Sequence, residues 1–351
     1  IAVMALLTAV YVIAGGYMAT AINDFIQGIV MLVGIVAIIY SVLKIHGGFS
    51  GSLATLAEVS DSAASSVPGV FASFFGPDPA GLAGVILLTS LGTWGLPQMV
   101  QKFYSIKSEQ SIHTGTIIST LFAIIVAGGC YFLGGFGRIF NVDVASKGYD
   151  EIIPTMLSNL SPLIIGITLI LVLSASMSTL SSLVLTSSST LTLDFIVPLS
   201  KKKDEKKTLI IIRAFILVFI IISAIIAVIQ YKNKITFIAQ LMGLSWGALA
   251  GSFLAPFLYS LYWKKVTKSA CAVSFIWGSG IMIANMLFGS HFPTIIQSPV
   301  NCGAFAMLAS LVIVPVVSLI TKKPEKKFVD DIFSCYDRKV TVPVSEVLEE
   351  K

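Results

Sequence analysis

Apolar residues run almost unbroken through nine segments, at roughly 1–14, 21–43, 81–101, 112–134, 161–193, 208–230, 235–262, 269–289 and 302–320. Short polar or charged stretches separate them. A helix needs about 20 such residues to cross the hydrocarbon core of a bilayer, and all but the first segment meet that length. The first is short, which implies an element that starts upstream of Ile1. The pattern predicts an all-α polytopic membrane protein whose nine spans pair as helical hairpins.

Composition agrees. Hydrophobic residues make up 56% of the chain and charged residues 12%, about half the ~25% charge of a soluble domain. A net charge of +5 is too mild for a nucleic-acid binder. The four cysteines are scattered without a CxxC pair, which argues against a disulfide framework or a zinc site. The three histidines sit near the ends of apolar runs with no metal-ligand spacing, and the start at Ile1 does not have the form of a signal peptide.

Lys and Arg orient the spans. With the C-terminus cytoplasmic, seventeen fall in cytoplasmic loops and the tail, among them Lys102, Lys107, the run at 201–207, Lys264, Lys265 and Lys268. Five fall opposite: Lys44, Arg138, Lys147, Lys232 and Lys234. That ratio follows the positive-inside rule and places Ile1 outside. Residues 1–320 then form the transmembrane domain and 321–351 a cytoplasmic tail, mixed in charge and without a strong period. The lysine run at 201–207 is a solvated loop on this reading.

Three features exceed what lipid solvation requires. In the fifth segment, twelve of the nineteen residues from 174 to 192 carry a hydroxyl. Ala175, Ser178, Thr179, Ser182, Thr186 and Ser189 share one helical face. Such a stripe can supply oxygen ligands to a hard cation, or it can serve close helix packing. Asp24 follows the short segment 15–23 at the start of the second span, where it is either a helix N-cap or a carboxylate facing a cation. Finally, Gly92, Gly95 and Pro97 interrupt the third span, which fits either a proline kink or a discontinuous helix of the kind that forms substrate sites in transporters. The chain shows no Walker sequence, nucleophile elbow or paired intramembrane carboxylates, so no enzyme is expected.

In this order, Gly15-Gly16 with Asn23-Asp24 and Gln27, Gly92 through Pro97 continuing to Lys102-Phe103, and Ala175-Ser176-Met177-Ser178-Thr179-Leu180-Ser181 resemble the sodium:solute symporter family. That family includes sodium/proline and sodium/pantothenate symporters, and the resemblance extends through nearly all of residues 1–320. It implies a leucine-transporter-like inverted-repeat fold, here partial, lacking the first three core helices and one preceding helix. It also implies a sodium ion held by the Ala175 carbonyl and the Ser178 and Thr179 hydroxyls, with helix-1 ligands outside this chain. A second sodium would use Asp24, Ser181 and Ser182. The family's usual Trp-Thr-Asp reads Ile22-Asn23-Asp24 here, keeping the carboxylate but not its neighbours.

Thr89, Thr93, Trp94, Gly95 and Gln98 are the implied substrate contacts. The proline-type members carry aromatics at the positions of Thr89 and Thr93, which disfavours proline and leaves pantothenate, another small carboxylate or an amino acid. The function implied is sodium-coupled import of a small solute by alternating access in the cell membrane. Sodium is the coupling ion, membrane lipid the surroundings, and neither an organic cofactor nor nucleic acid is involved. The alternative is a transporter-like membrane sensor without coupled transport.

Overall fold

The computed structural model describes residues 1–337 apart from 61–64, 104–105, 107, 145–147, 201–203 and 234–237. Lys107, Lys147, Lys201 to Lys203, Lys234 and the tail from 338 onward, all used to orient the spans, lie outside the described residues. Among the described residues the chain is helical, with no strand. Seven helices are long and apolar enough to cross a membrane, or eight if the bent pair Pro79–Gly95 and Pro97–Phe103 counts as one.

The difference from nine arises in the first helix, α1, which runs Ala2–Ile45 with a break at Gly16. A straight helix would put Tyr11 and Asp24 about 20 Å apart. Instead Tyr11 faces Asn23 and Asp24, so the chain reverses at Gly16 and α1 is a hairpin of limbs 2–15 and 17–45. Gly16 holds φ 58° and ψ −150°, a combination open only to glycine. The first two apolar segments are therefore the two limbs. The chain turns at this one residue rather than over the whole short segment 15–23.

The helices that follow are α2 (Gly48–Glu58), α3 (Pro79–Ser90), α4 (Pro97–Phe103), α5 (Gln110–Phe140) and α6 (Ile152–Ser158). After them come α7 (Pro162–Leu199), α8 (Glu205–Asn233), α9 (Ile238–Tyr262), α10 (Lys268–Phe288), α11 (Pro299–Ile320) and α12 (Lys326–Phe333). The predicted interruption of the third segment is present. A 3-10 turn over Gly92–Gly95 and an extended Leu96 separate α3 from α4.

The chain divides into two compact units, residues 1–82 with 97–241, and residues 83–96 with 242–351. In the first unit α7 is the central element. Ile35, Ile38 and Val42 of α1 bury against Leu133, Met156 and Leu160, and Leu171 joins them from α7. On the other limb, Ala9 and Val12 pack with Val184 of α7 and with Ile216 and Ile220 of α8. Apolar side chains such as Phe25 and Leu163 point outward, as expected where lipid is the solvent.

The second unit packs backbone against backbone. A Cβ on Gly278 of α10 would lie 2.3 Å from the Gly251 carbonyl carbon and the Ser252 amide nitrogen of α9. One on Gly247 would lie 2.6 Å from Gly303 Cα of α11. Gly247 and Gly251 stand one helical turn apart, the small-xxx-small spacing that lets membrane helices approach closely. The Ser274 hydroxyl exploits the contact, donating to the Ser252 carbonyl at 3.0 Å.

One further difference concerns the tail. It has an eight-residue helix, α12, whose four apolar residues Phe328, Val329, Ile332 and Phe333 share one face.

Candidate functional site

The hydroxyl-rich part of α7 faces α1 because the reversal at Gly16 brings both limbs alongside it. Tyr11 from the first limb donates to the Met177 carbonyl at 3.1 Å and faces Ser181. From the second limb, Asp24 faces Ser178. Gly34 of the same limb would meet Leu171 if it carried a Cβ, so the limb runs antiparallel to α7 at close range.

Asp24 stands eight residues beyond the break, two turns inside its limb, so the N-cap reading does not hold. Its Oδ1 is buried and finds no hydrogen-bond partner among the described residues. Asn23 Nδ2, Gln27 Oε1 and Thr8 Oγ1 are in the same state. Buried polar groups in native proteins are nearly always paired. Here the Asp24, Gln27 and Thr8 oxygens are free to accept a donor or a cation, whereas Asn23 Nδ2 can only donate.

A cleft of about 470 Å³ opens beside these groups within the first unit. Asp24, Tyr17 and Thr20 from α1, Ser182, Thr186 and Ser189 from α7, and Gln98, Gln101 and Lys102 from α4 line it. Gln101 Nε2 donates to Ser189 Oγ at 3.1 Å and ties α4 to α7. Lys102 interacts electrostatically with Asp24 across the cleft.

The hydroxyls on α7 are prepared as acceptors. Thr179 donates to the Ala175 carbonyl at 3.0 Å and Ser181 to the Ser178 carbonyl at 2.9 Å. Each proton is thus committed to the helix's own backbone, and the oxygen lone pairs remain available. The Thr179–Ala175 bond also sets two oxygens of the expected first sodium set side by side. A cation there would replace that hydrogen bond with contacts to both oxygens.

Of the expected second set, Asp24 and Ser182 line the cleft together, whereas Ser181 is fully buried and turned toward Tyr11. Of the first set, Ala175 and Ser178 are half-buried and Thr179 is exposed.

The expected substrate residues divide between the units. Gln98, buried, belongs to the first unit and lines the cleft with Asp24. Thr89, Thr93, Trp94 and Gly95 belong to the second. There Thr89 donates to the Val85 carbonyl at 2.7 Å and Thr93 to the Ser90 carbonyl at 2.8 Å. Trp94 is exposed, and Gly95 packs against the Leu254 backbone, where a Cβ would lie 2.8 Å from the amide nitrogen. The cleft residues Tyr17, Thr20, Gln101 and Lys102 were not among the candidates read from sequence. For the first two the available signal was their spacing from Asp24, seven and four residues, which places them on its face.

A helical polytopic architecture with a broken helix and a polar pocket between membrane helices is the arrangement on which secondary-transporter folds are built. The profile of the sodium:solute symporter family matches residues 1–278, and the chain belongs to that family.

The chain is 27% identical to the osmoregulated proline transporter OpuE of Bacillus subtilis, over 90% of this chain and 62% of that protein. It is 29% identical to a sodium/proline symporter of Staphylococcus aureus, over 90% and 60%. It is 28% identical to the sodium/pantothenate symporter of Escherichia coli, over 79% and 56%. The chain thus spans about 60% of the length of these curated relatives. The solved structure of a Na+-coupled sialic acid symporter, in a substrate-bound outward-open state, superposes with a TM-score of 0.65 at 20% identity, covering 92% of this chain and 66% of that one. The fold is leucine-transporter-like, and the protein is a multi-pass membrane protein.

Proposed function

We propose that the protein takes part in sodium-coupled symport of a small organic solute. The observation that carries this reading is Asp24, a half-buried carboxylate among membrane helices, with one oxygen buried and unpaired among the described residues and the hydroxyl face of α7 opposite. An intramembrane carboxylate is costly without a close counter-charge; Lys102 acts on Asp24 from across the cleft, and a sodium ion would supply a charge in direct contact. Ala175, Ser178 and Thr179 hold a first sodium, and Asp24 with Ser181 and Ser182 a second. Ser181 has to turn from Tyr11 to take part. Thr89, Thr93, Trp94, Gly95 and Gln98 contact the solute, which is pantothenate, another small carboxylate or an amino acid.

Residues 1–320 form the transporting domain, and the C-terminal tail is cytoplasmic. Sodium binding organises the outward-facing site, the solute binds at the broken helix, and the site then opens inward. One charge moving down 100 mV yields ~2.3 kcal/mol, so two sodium ions with a neutral solute sustain a gradient of roughly 10³ from voltage alone. An anionic solute forfeits one unit of that drive. The receptor alternative finds no support in the transporters to which the chain is similar.

The test is uptake of labelled candidate solutes into vesicles containing the protein, with and without a sodium gradient, for the native chain and for Ser178→Ala and Thr179→Ala. Uptake that persists without sodium, or whose sodium dependence survives both substitutions, would overturn the reading.

A further inference from the structure

Helix α12 lies just past the end of a membrane span. Five residues separate it from the end of α11 at Ile320, a reach of at most ~18 Å even when fully extended. It is pinned to the neighbouring span by three contacts. Asp330 pairs with Lys264 at 3.0 Å, Lys264 sits over the Phe333 ring at 5.4 Å, and the Tyr336 hydroxyl donates to the Leu261 carbonyl at 2.8 Å. Leu261 is the penultimate residue of α9, so this bond caps a carbonyl at that helix's end. The segment is therefore held at the level where the α9 and α11 spans leave the bilayer.

An eight-residue helix is too short to be stable alone in water, so its docking accounts for its being formed. The docking uses only part of its apolar face. Phe333 and Val329 are turned toward the body of the unit, while Phe328 and Ile332, one turn apart, remain 61% and 53% exposed. Asp331 is exposed next to them on the helix, and Lys322, Lys323, Lys326 and Lys327, around the helix and before it, are all exposed. The nearest acid on the docking side, Asp330, is already committed to Lys264. With Lys264, Lys265 and Lys268 of the α9–α10 connection, this end of the unit carries seven lysines against four acids, Glu325, Asp330, Asp331 and Asp337.

A large apolar pair in a segment with an excess of lysine, fixed at the level of span ends, has the chemistry of an interfacial amphipathic element. We propose that residues 322–337 form a membrane-surface anchor: Phe328 and Ile332 enter the headgroup–acyl boundary, and Lys322, Lys323, Lys326 and Lys327 engage acidic lipid headgroups. The occupant of the exposed face is the bilayer, because the pinning contacts already hold the helix at its surface and the excess of lysine complements acidic lipid. Through the Lys264–Asp330 and Tyr336–Leu261 contacts, the anchor ties the α9–α10 connection to lipid composition. This inference does not depend on the sodium reading.

The test places an environment-sensitive fluorophore at Ile332→Cys in a Cys130→Ser/Cys271→Ala/Cys335→Ser background that retains the buried Cys302. The labelled chain is reconstituted into vesicles of phosphatidylcholine alone or mixed with phosphatidylglycerol. The expected result is blue-shifted emission, quenching by brominated acyl chains and shielding from aqueous iodide, all stronger with the acidic lipid. Replacing the four lysines by Gln should shift the phosphatidylglycerol titration to higher content, each lysine carrying about a five-fold change in the ratio of inserted to free segment. Iodide quenching without bromolipid quenching in both lipid mixtures overturns the proposal. Shielding that follows the density of protein in the vesicle rather than its lipid also overturns it, because a second copy is then the occupant. A response to acidic lipid unchanged in the four-lysine variant removes the headgroup contacts.

Discussion

Replacing Asp24 by Asn removes one charge and almost no volume from the α1–α7 pocket. At a cation–oxygen distance of ~2.4 Å and an effective dielectric constant of ~20, the attraction lost has a ceiling of about 7 kcal/mol. Desolvation of the ion and the carboxylate offsets several kcal/mol of this. A net loss of roughly 2–4 kcal/mol remains, a weakening of sodium binding by roughly 30- to 1,000-fold. The unliganded protein should respond in the opposite sense. Asp24 Oδ1 is buried without a hydrogen-bond partner among the described residues, and Ser178 and the more distant Lys102 compensate the carboxylate only in part, so neutralising it removes a partly compensated charge. The Asn variant should therefore melt at the same or a higher temperature than the native protein in sodium-free buffer. Native protein should gain stability on titration with sodium chloride, about 2.7 kcal/mol at a hundred times the dissociation constant, whereas choline chloride should add nothing. The variant should lose most of that gain. Melting curves of the detergent-purified pair, read across matched sodium and choline series, provide the measurement. An equal sodium-dependent rise in both proteins would refute the assignment of Asp24 as a ligand, and a large loss of stability in sodium-free buffer would show that Ser178 and Lys102 already compensate its charge in full.

Gly16→Ala should destabilise the first unit by about 1–3 kcal/mol, because φ 58° with ψ −150° is closed to residues with a Cβ. It should also weaken sodium-dependent stabilisation, since the reversal sets the register of Asp24 against α7. Gly278→Ala should cost about 1–3 kcal/mol through the second unit, its methyl meeting the backbone of Gly251 and Ser252 at 2.3 Å, and should leave sodium-dependent stabilisation intact. A sodium effect as large as that of Gly16→Ala would count against independent roles for the two glycines. Gln101→Ala should lose about 1 kcal/mol with its hydrogen bond to Ser189, seen as a small fall in melting temperature and as faster proteolysis near residues 97–103.

The spans were legible because a bilayer imposes a length that apolar runs must meet, and each run proved helical over most of its described length, the third apart from its break at Leu96. The broken third span was legible for a related reason: two glycines and a proline within six residues stand out against apolar surroundings. The hydroxyl face of α7 followed from the 100° period. What periodicity could not supply was the pairing between distant elements. Tyr11 lies beside Asp24 because one glycine reverses the chain, and Lys102 lines the cleft from α4, which the Gln101–Ser189 hydrogen bond ties to α7. Nor did the tail disclose α12, since eight residues offer barely two turns over which a period can be recognised. The Gly278 contact was equally hidden, because a count of glycines suggests close packing without saying which helices approach.

The reversal at Gly16 also bears on how the protein enters a membrane. An Asp carried alone on an inserting helix costs about 2.5–3.5 kcal/mol at the bilayer centre. Here the limb that bears Asp24 follows directly on the limb that bears Tyr11 and Thr8, so the two can leave the translocation machinery as one hairpin. The carboxylate would then reach lipid with polar company already beside it, long before α7 is synthesised. A single glycine backbone thus lets a carboxylate be inserted without first being exposed to hydrocarbon.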